Sequence, residues 1–130
     1  MPIPVLLVED SRAMRDFVVS ILEQEGEFEV RQVENGFEAL RELPRQPWGL
    51  ILADINIPDI SGIELIRFVR SHGRHGETPV VAISTDASSV DIQRALDAGA
   101  TCFLAKPFAP EDLQRVLREH GVGGQEAGGA

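Results

Sequence analysis

The chain has 130 residues, 43% hydrophobic and 25% charged, which is the size and balance of one globular domain with a single core. A formal net charge of −9 argues against direct binding to a nucleic-acid backbone, and no apolar run approaches the roughly 20 residues that a membrane span needs. Cys102 is the lone cysteine, so an internal disulfide is excluded. The opening MPIPVLLVED reads as a strand rather than a secretory leader, and a cytoplasmic chain is expected.

PVLLV at 4–8 is continuously apolar and reads as a first strand ending on Glu9-Asp10. Met14, Phe17, Val18, Ile21 and Leu22 then share one face of a helix that stops at Gly26. FEVRQV at 28–33 alternates apolar with polar, as an edge strand does, and Asn35 with Glu38 has the spacing of a capping box before the next helix. GLILA at 49–53 is a third strand that runs straight into Asp54. Ser61 with Glu64 opens a helix over LIRFV, and PVVAIS at 79–84 follows as the fourth strand. Ser88 with Asp91 opens a helix that Gly99 ends, TCFLA at 101–105 is the fifth strand, and Pro110 opens the last helix, PEDLQRVLREH. GVGGQEAGGA at 121–130 is too rich in glycine to pack, and is expected to be a flexible tail or the start of a linker.

Strands alternating with helices predict a (βα)5 domain over 1–120. This is a doubly wound α/β fold whose five-stranded parallel sheet carries helices on both faces. In such sheets ligands bind beyond the carboxyl ends of the strands. The first strand ends in Glu9-Asp10, the third in Asp54, the fourth in Ser84-Thr85 and the fifth in Lys106-Pro107. If the first and third strands are neighbours, three carboxylates converge. Like charges at close range repel strongly, and a cation relieves the repulsion. Carboxylate, carbonyl and water oxygens are the ligands that Mg²⁺ takes. Lys106 adds a fixed positive charge, Ser84 a hydroxyl donor and Asp54 a carboxylate able to attack phosphorus. The set points to phosphoryl transfer, in which positioning and charge neutralisation do most of the work. Each residue alone has a plainer reading as a helix cap, a strand-end hydroxyl or a surface lysine. Their shared position, at the same end of different strands, sets them apart.

The stretches VLLVEDSRAMR, VENGFEAL, LILADINIPDISGIEL, PVVAIS and DIQRALDAGATCFLAKPF resemble the receiver domain of two-component response regulators, over essentially residues 3–120. The resemblance implies strand order 2-1-3-4-5. It implies that Asp54 accepts a phosphoryl group from a sensor histidine kinase or a histidine phosphotransfer protein. Glu9, Asp10, Asp54 and the Asn56 carbonyl would hold Mg²⁺, with Mn²⁺ as a substitute. Ser84, Thr85 and Lys106 would bind the phosphoryl oxygens, Ser84 and Phe103 would form the switch, and Lys106-Pro107 would be a cis peptide. The face over roughly 86–120 would then engage a downstream output protein or domain. Such a chain catalyses only its own phosphorylation and dephosphorylation. Two positions depart from common alternatives in the family: Ser84 lacks the methyl of threonine, and Phe103 lacks the hydroxyl of tyrosine.

A phosphatase of the haloacid-dehalogenase type also places an aspartate at a strand end. It needs a second aspartate two residues on, where this chain has Asn56, which cannot transfer a proton. A flavodoxin-like FMN carrier would need a phosphate loop where VEDSRA stands. A degenerate receiver acting only as a binding module is opposed by the intact acid pair, Asp54, Ser84 and Lys106. Elsewhere, His72 and His75 read as a solvated loop, His120 as a helix-end residue and Trp48 as a loop anchor against the core. Cys102 reads as a buried thiol, and Arg41, Arg45, Arg67, Arg70 and Arg74 as scattered surface charge.

Overall fold

The structure, a computed structural model, describes residues 2–71 and 75–122. Five strands, β1 (Ile3–Val8), β2 (Phe28–Val33), β3 (Leu50–Asp54), β4 (Val80–Ser84) and β5 (Cys102–Ala105), alternate with five helices. The helices are α1 (Arg12–Glu25), α2 (Gly36–Glu42), α3 (Gly62–Ser71), α4 (Ser89–Ala98) and α5 (Pro110–Glu119), and a 3-10 turn, Leu43–Arg45, follows α2. Every strand lies within one residue of its apolar run. The sheet is parallel throughout, in the order β2-β1-β3-β4-β5, so the fold expected from the sequence is the fold observed.

Side chains alternate across a strand, and this divides the interior in two. Leu6, Val8, Ile51, Ala53, Val80 and Ala82 share one core with Ala39 of α2, Ile66 of α3 and Ala95 of α4. Val5, Leu7, Leu50, Leu52, Val81 and Ile83 share the other with Val18 and Leu22 of α1 and Leu113 and Leu117 of α5. With both faces covered, β3 and β4 are buried at every position, whereas edge strand β2 leaves Glu29, Arg31 and Gln32 exposed.

Helix starts follow the side chains that can satisfy their free amides. Asn35 accepts from Glu38 N–H at 2.8 Å, Ser61 from Glu64 N–H at 3.1 Å and Ser88 from Asp91 N–H at 3.2 Å. Helix α1 is capped by Ser11, which accepts from Met14 N–H at 3.2 Å, while Glu9 Oε2 accepts from the Ser11 amide at 3.0 Å. At the other end of the chain, Gly121 adopts φ +69° and the Val122 amide bonds the Leu117 carbonyl at 2.8 Å. An apolar residue after a left-handed glycine folds back onto the helix before it, and Val122 is buried against the α1–α5 core. Packing among the described residues therefore extends to Val122. Residues 123–130 of the expected tail lie outside the described residues.

Candidate functional site

Strands β1 and β3 pair directly, with Val8 opposite Ala53, so the residues at their ends fall together. Glu9, Asp10 and Asp54 each bring a carboxylate oxygen within 4.8 Å of the others. Asp10 is exposed, whereas Glu9 and Asp54 retain only 1% and 5% of their exposure. Lys106 follows β5 and reaches across the end of β4. Its Nζ donates to Asp54 Oδ2 at 2.6 Å and to Glu9 Oε1 at 2.8 Å. Three carboxylates face one ammonium, which leaves two negative charges uncompensated. The donors are all hard oxygens, and exposed Asp10 leaves the cluster open to coordinated water, so the set fits Mg²⁺.

Burial pushes the Glu9 carboxyl above its ordinary range. The Lys106 and Ser11 hydrogen bonds pull the other way, and the Asp54 charge adds to the rise. For Lys106, burial would lower the ammonium, but hydrogen bonds and attraction from Asp54 and Glu9 outweigh it and hold the group above its usual value. Lys106 is therefore a permanent cation at neutral pH. The second oxygen of Asp54, Oδ1, accepts from the Asn56 amide at 2.8 Å.

Ser84 closes the site on the β4 side and is 1% exposed. Its Oγ accepts from Asn56 Nδ2 at 3.1 Å and from the Asp86 amide at 3.0 Å. Beside it lies a cleft of about 150 Å³, with Asn56, Ser61, Asp86, Asp91 and Arg94 among its walls. Thr85 is exposed next to Ser84, and Phe103 is half-buried against the core on the α2–α4 side. The Lys106-Pro107 peptide is cis. Helix α3 starts hard against this floor. A Cβ on Gly62 would stand 2.6 Å from both the Asp54 carbonyl oxygen and Ile55 Cα, so only glycine fits. The structure thus gathers Glu9, Asp10, Asn56, Ser84 and Lys106 around the Asp54 carboxylate.

The sequence model of the response regulator receiver domain matches residues 5–118. The chain belongs to the response regulator receiver domain family. Chemotaxis protein CheY1 of Helicobacter pylori is 33% identical over 113 residues, covering 86% of this chain and 91% of that protein. The structure of chemotaxis response regulator CheY4 of Vibrio cholerae superposes with a TM-score of 0.85 at 32% identity, over 92% of this chain and 99% of that one. The receiver domain of sensor histidine kinase PA1611 from Pseudomonas aeruginosa gives a TM-score of 0.83 at 31% identity, over 93% and 99% of the two chains. That structure has a magnesium ion coordinated in its active site cleft. The protein is therefore a receiver domain of the two-component signalling type.

Several residues of this receiver domain do something other than the sequence reading assigned. Arg70 is no scattered surface charge. Its guanidinium donates to Gly99 O at 2.7 Å, Thr78 O at 2.6 Å and Thr101 Oγ1 at 3.1 Å, tying the end of α3 to the turns that enter β4 and β5. A planar fork of donors suits several carbonyls at once. His75 is buried rather than solvated, with Nε2 3.2 Å from the Gln46 carbonyl oxygen; His72 and Arg74 lie outside the described residues. Trp48 is buried, as a loop anchor should be, and its Nε1 has no hydrogen-bond partner among the described residues. Burial, and then the charge of Glu119, push the half-buried Cys102 thiol up to about 11, which makes it a poor nucleophile. Asp59 was missed. It sits at φ +76° and accepts from the Gly36 and Phe37 amides at 2.9 and 3.1 Å, fastening the loop behind Asp54 to the start of α2. The available signal was an Asp in the turn sequence IPDISG, one of the few side chains at ease in that backbone region.

Proposed function

We propose that this receiver domain is a phosphoacceptor: Asp54 takes a phosphoryl group from a partner's phosphohistidine in a Mg²⁺-dependent transfer, and the α4–β5–α5 face changes its affinity for a downstream partner. The observation that carries this reading is the setting of Asp54. It is a nearly buried carboxylate at a strand end, with one oxygen on the Asn56 amide and the other on the Lys106 ammonium. Glu9, Asp10, Asp54 and the Asn56 carbonyl would hold Mg²⁺, or Mn²⁺ in its place. When bound, the ion supplies charge neutralisation and a template for the phosphoryl oxygens. An Asp54 carboxylate oxygen attacks phosphorus, the P–N bond of the donor breaks, and its electron pair stays on the imidazole. Lys106 then pairs with the phosphoryl oxygens, with the Ser84 and Thr85 hydroxyls at the end of β4 as further donors.

Phosphorylation adds charge beside Ser84 and Lys106 and favours a state with Ser84 drawn inward and Phe103 buried behind it. Moving a population from about 1% to 99% requires a bias of roughly 5.5 kcal/mol. One hydrogen bond from Ser84, at about 1–3 kcal/mol, falls short, so the Lys106 pair supplies much of the rest. A histidine kinase or phosphotransfer protein on the input side, a separate output protein or domain, and a cytoplasmic setting go with this reading. So does a domain boundary near 120, with the rest a tail or linker.

Intact mass after incubation with Mg²⁺ and a small phosphodonor tests it. The wild-type protein gains one phosphoryl group and Asp54→Asn gains none. Equal labelling of the two would refute the assignment, and multiple turnover of a phosphomonoester would restore the phosphatase reading.

A further inference from the structure

We infer that the Asn56 side chain is a positioning residue that latches the Ser84 hydroxyl in the off state, and so sets how hard phosphorylation must pull to switch the domain. This rests on the phosphoacceptor reading above. Asn56 Nδ2 donates to Ser84 Oγ at 3.1 Å, and the Asp86 amide donates to the same oxygen at 3.0 Å. A hydroxyl oxygen has two lone pairs, and these two donors occupy both. The backbone amide of Asn56 meanwhile holds Asp54 Oδ1 at 2.8 Å. One residue thus grips the acceptor carboxylate with its main chain and the switch hydroxyl with its side chain.

Accepting two bonds leaves the O–H free to donate, but drawing Ser84 inward to reach a phosphoryl group on Asp54 carries its oxygen away from the Asn56 amide. Ser84 is 1% exposed, so the broken bond is not made good by bulk water at the hydroxyl. The carboxamide, by contrast, is freed into the cleft of about 150 Å³ beside Ser61, Asp86, Asp91 and Arg94, where water can reach it. The bond therefore exists only in the off state and weighs against switching. Asn56 itself is exposed, and shortening its side chain leaves both its amide and its carbonyl in place.

Beryllofluoride with Mg²⁺, a mimic of the phosphoryl group on a carboxylate, is the probe. It is titrated into isotope-labelled protein while the Phe103 amide is followed by NMR. A ligand that selects a minor state binds in proportion to the population of that state. Loss of one ordinary hydrogen bond shifts the balance roughly fivefold. Asn56→Ala should accordingly bind the probe about fivefold tighter than wild type, and its probe-free Phe103 signal should move toward the bound position. In a Ser84→Ala background the same substitution should change neither quantity, which a general structural effect would not reproduce. Equal affinity of wild type and Asn56→Ala overturns the latch, as does an equal gain with and without the Ser84 hydroxyl. A wild-type protein that does not bind the probe at all overturns the phosphoacceptor reading and the latch together, so the two failures are distinguishable.

Discussion

Replacing Lys106 with methionine keeps the length of the stem and deletes the charge. Two nearly buried carboxylates then lose their ammonium, which stands 2.8 Å from Glu9 and 2.6 Å from Asp54. Removing one partner of a buried pair costs about 3–5 kcal/mol. The Lys106 side chain keeps 12% of its exposure, so the low end, about 3 kcal/mol, is expected in metal-free buffer at pH 7.5. At a urea slope of about 1.5–2 kcal/mol/M, this lowers the unfolding midpoint by roughly 1.5–2 M. The deficit should depend on pH with a definite sign. Burial already raises the Glu9 carboxyl above its ordinary range, and removal of Lys106 deletes an influence that lowers it. A group raised in the folded state contributes stability below its unfolded value and loses it as pH rises through the folded one. The variant's deficit should therefore be largest at pH 7.5 and shrink toward pH 5, as the cluster takes up a proton. Added Mg²⁺ should narrow it too, because a dication replaces the missing charge. Urea titrations of both proteins at the two pH values measure this directly. A deficit below about 1 kcal/mol at pH 7.5, or one equal at both pH values, would show that packing and not charge is what Lys106 contributes.

Two further substitutions separate the site from its scaffold. Asp10→Asn removes the exposed member of the acid cluster and should weaken Mg²⁺ binding at least tenfold by calorimetry with the fold intact; unchanged affinity would take Asp10 out of the metal shell. Arg70→Met strips the fork from the Thr78 and Gly99 carbonyls and should cost about 2 kcal/mol, or near 1 M in urea midpoint, while Asp54 still accepts a phosphoryl group. A loss under about 0.5 kcal/mol would show that water replaces those bonds freely.

The local pattern of the chain determined its elements. A strand covered on both faces must be apolar at every position, and β3 and β4 announced themselves in LILA and VVAI. Capping is equally local, since Asn35, Ser61 and Ser88 bond amides only three residues ahead. Glu9, Asp10, Asp54, Ser84 and Lys106 were legible for a related reason: a charge or hydroxyl that ends an apolar strand has no part in the core, so its residue type stands out. What the pattern could not carry was which of these groups touch. The bond from Lys106 to Glu9 spans 97 positions and that from Asn56 to Ser84 spans 28. Arg70, His75 and Asp59 likewise took their partners from segments that only strand order brings near. Periodicity records whether a side chain is buried, not by what. The partner of a buried polar group is chosen when the strands stack in order 2-1-3-4-5, and that choice belongs to the tertiary structure alone.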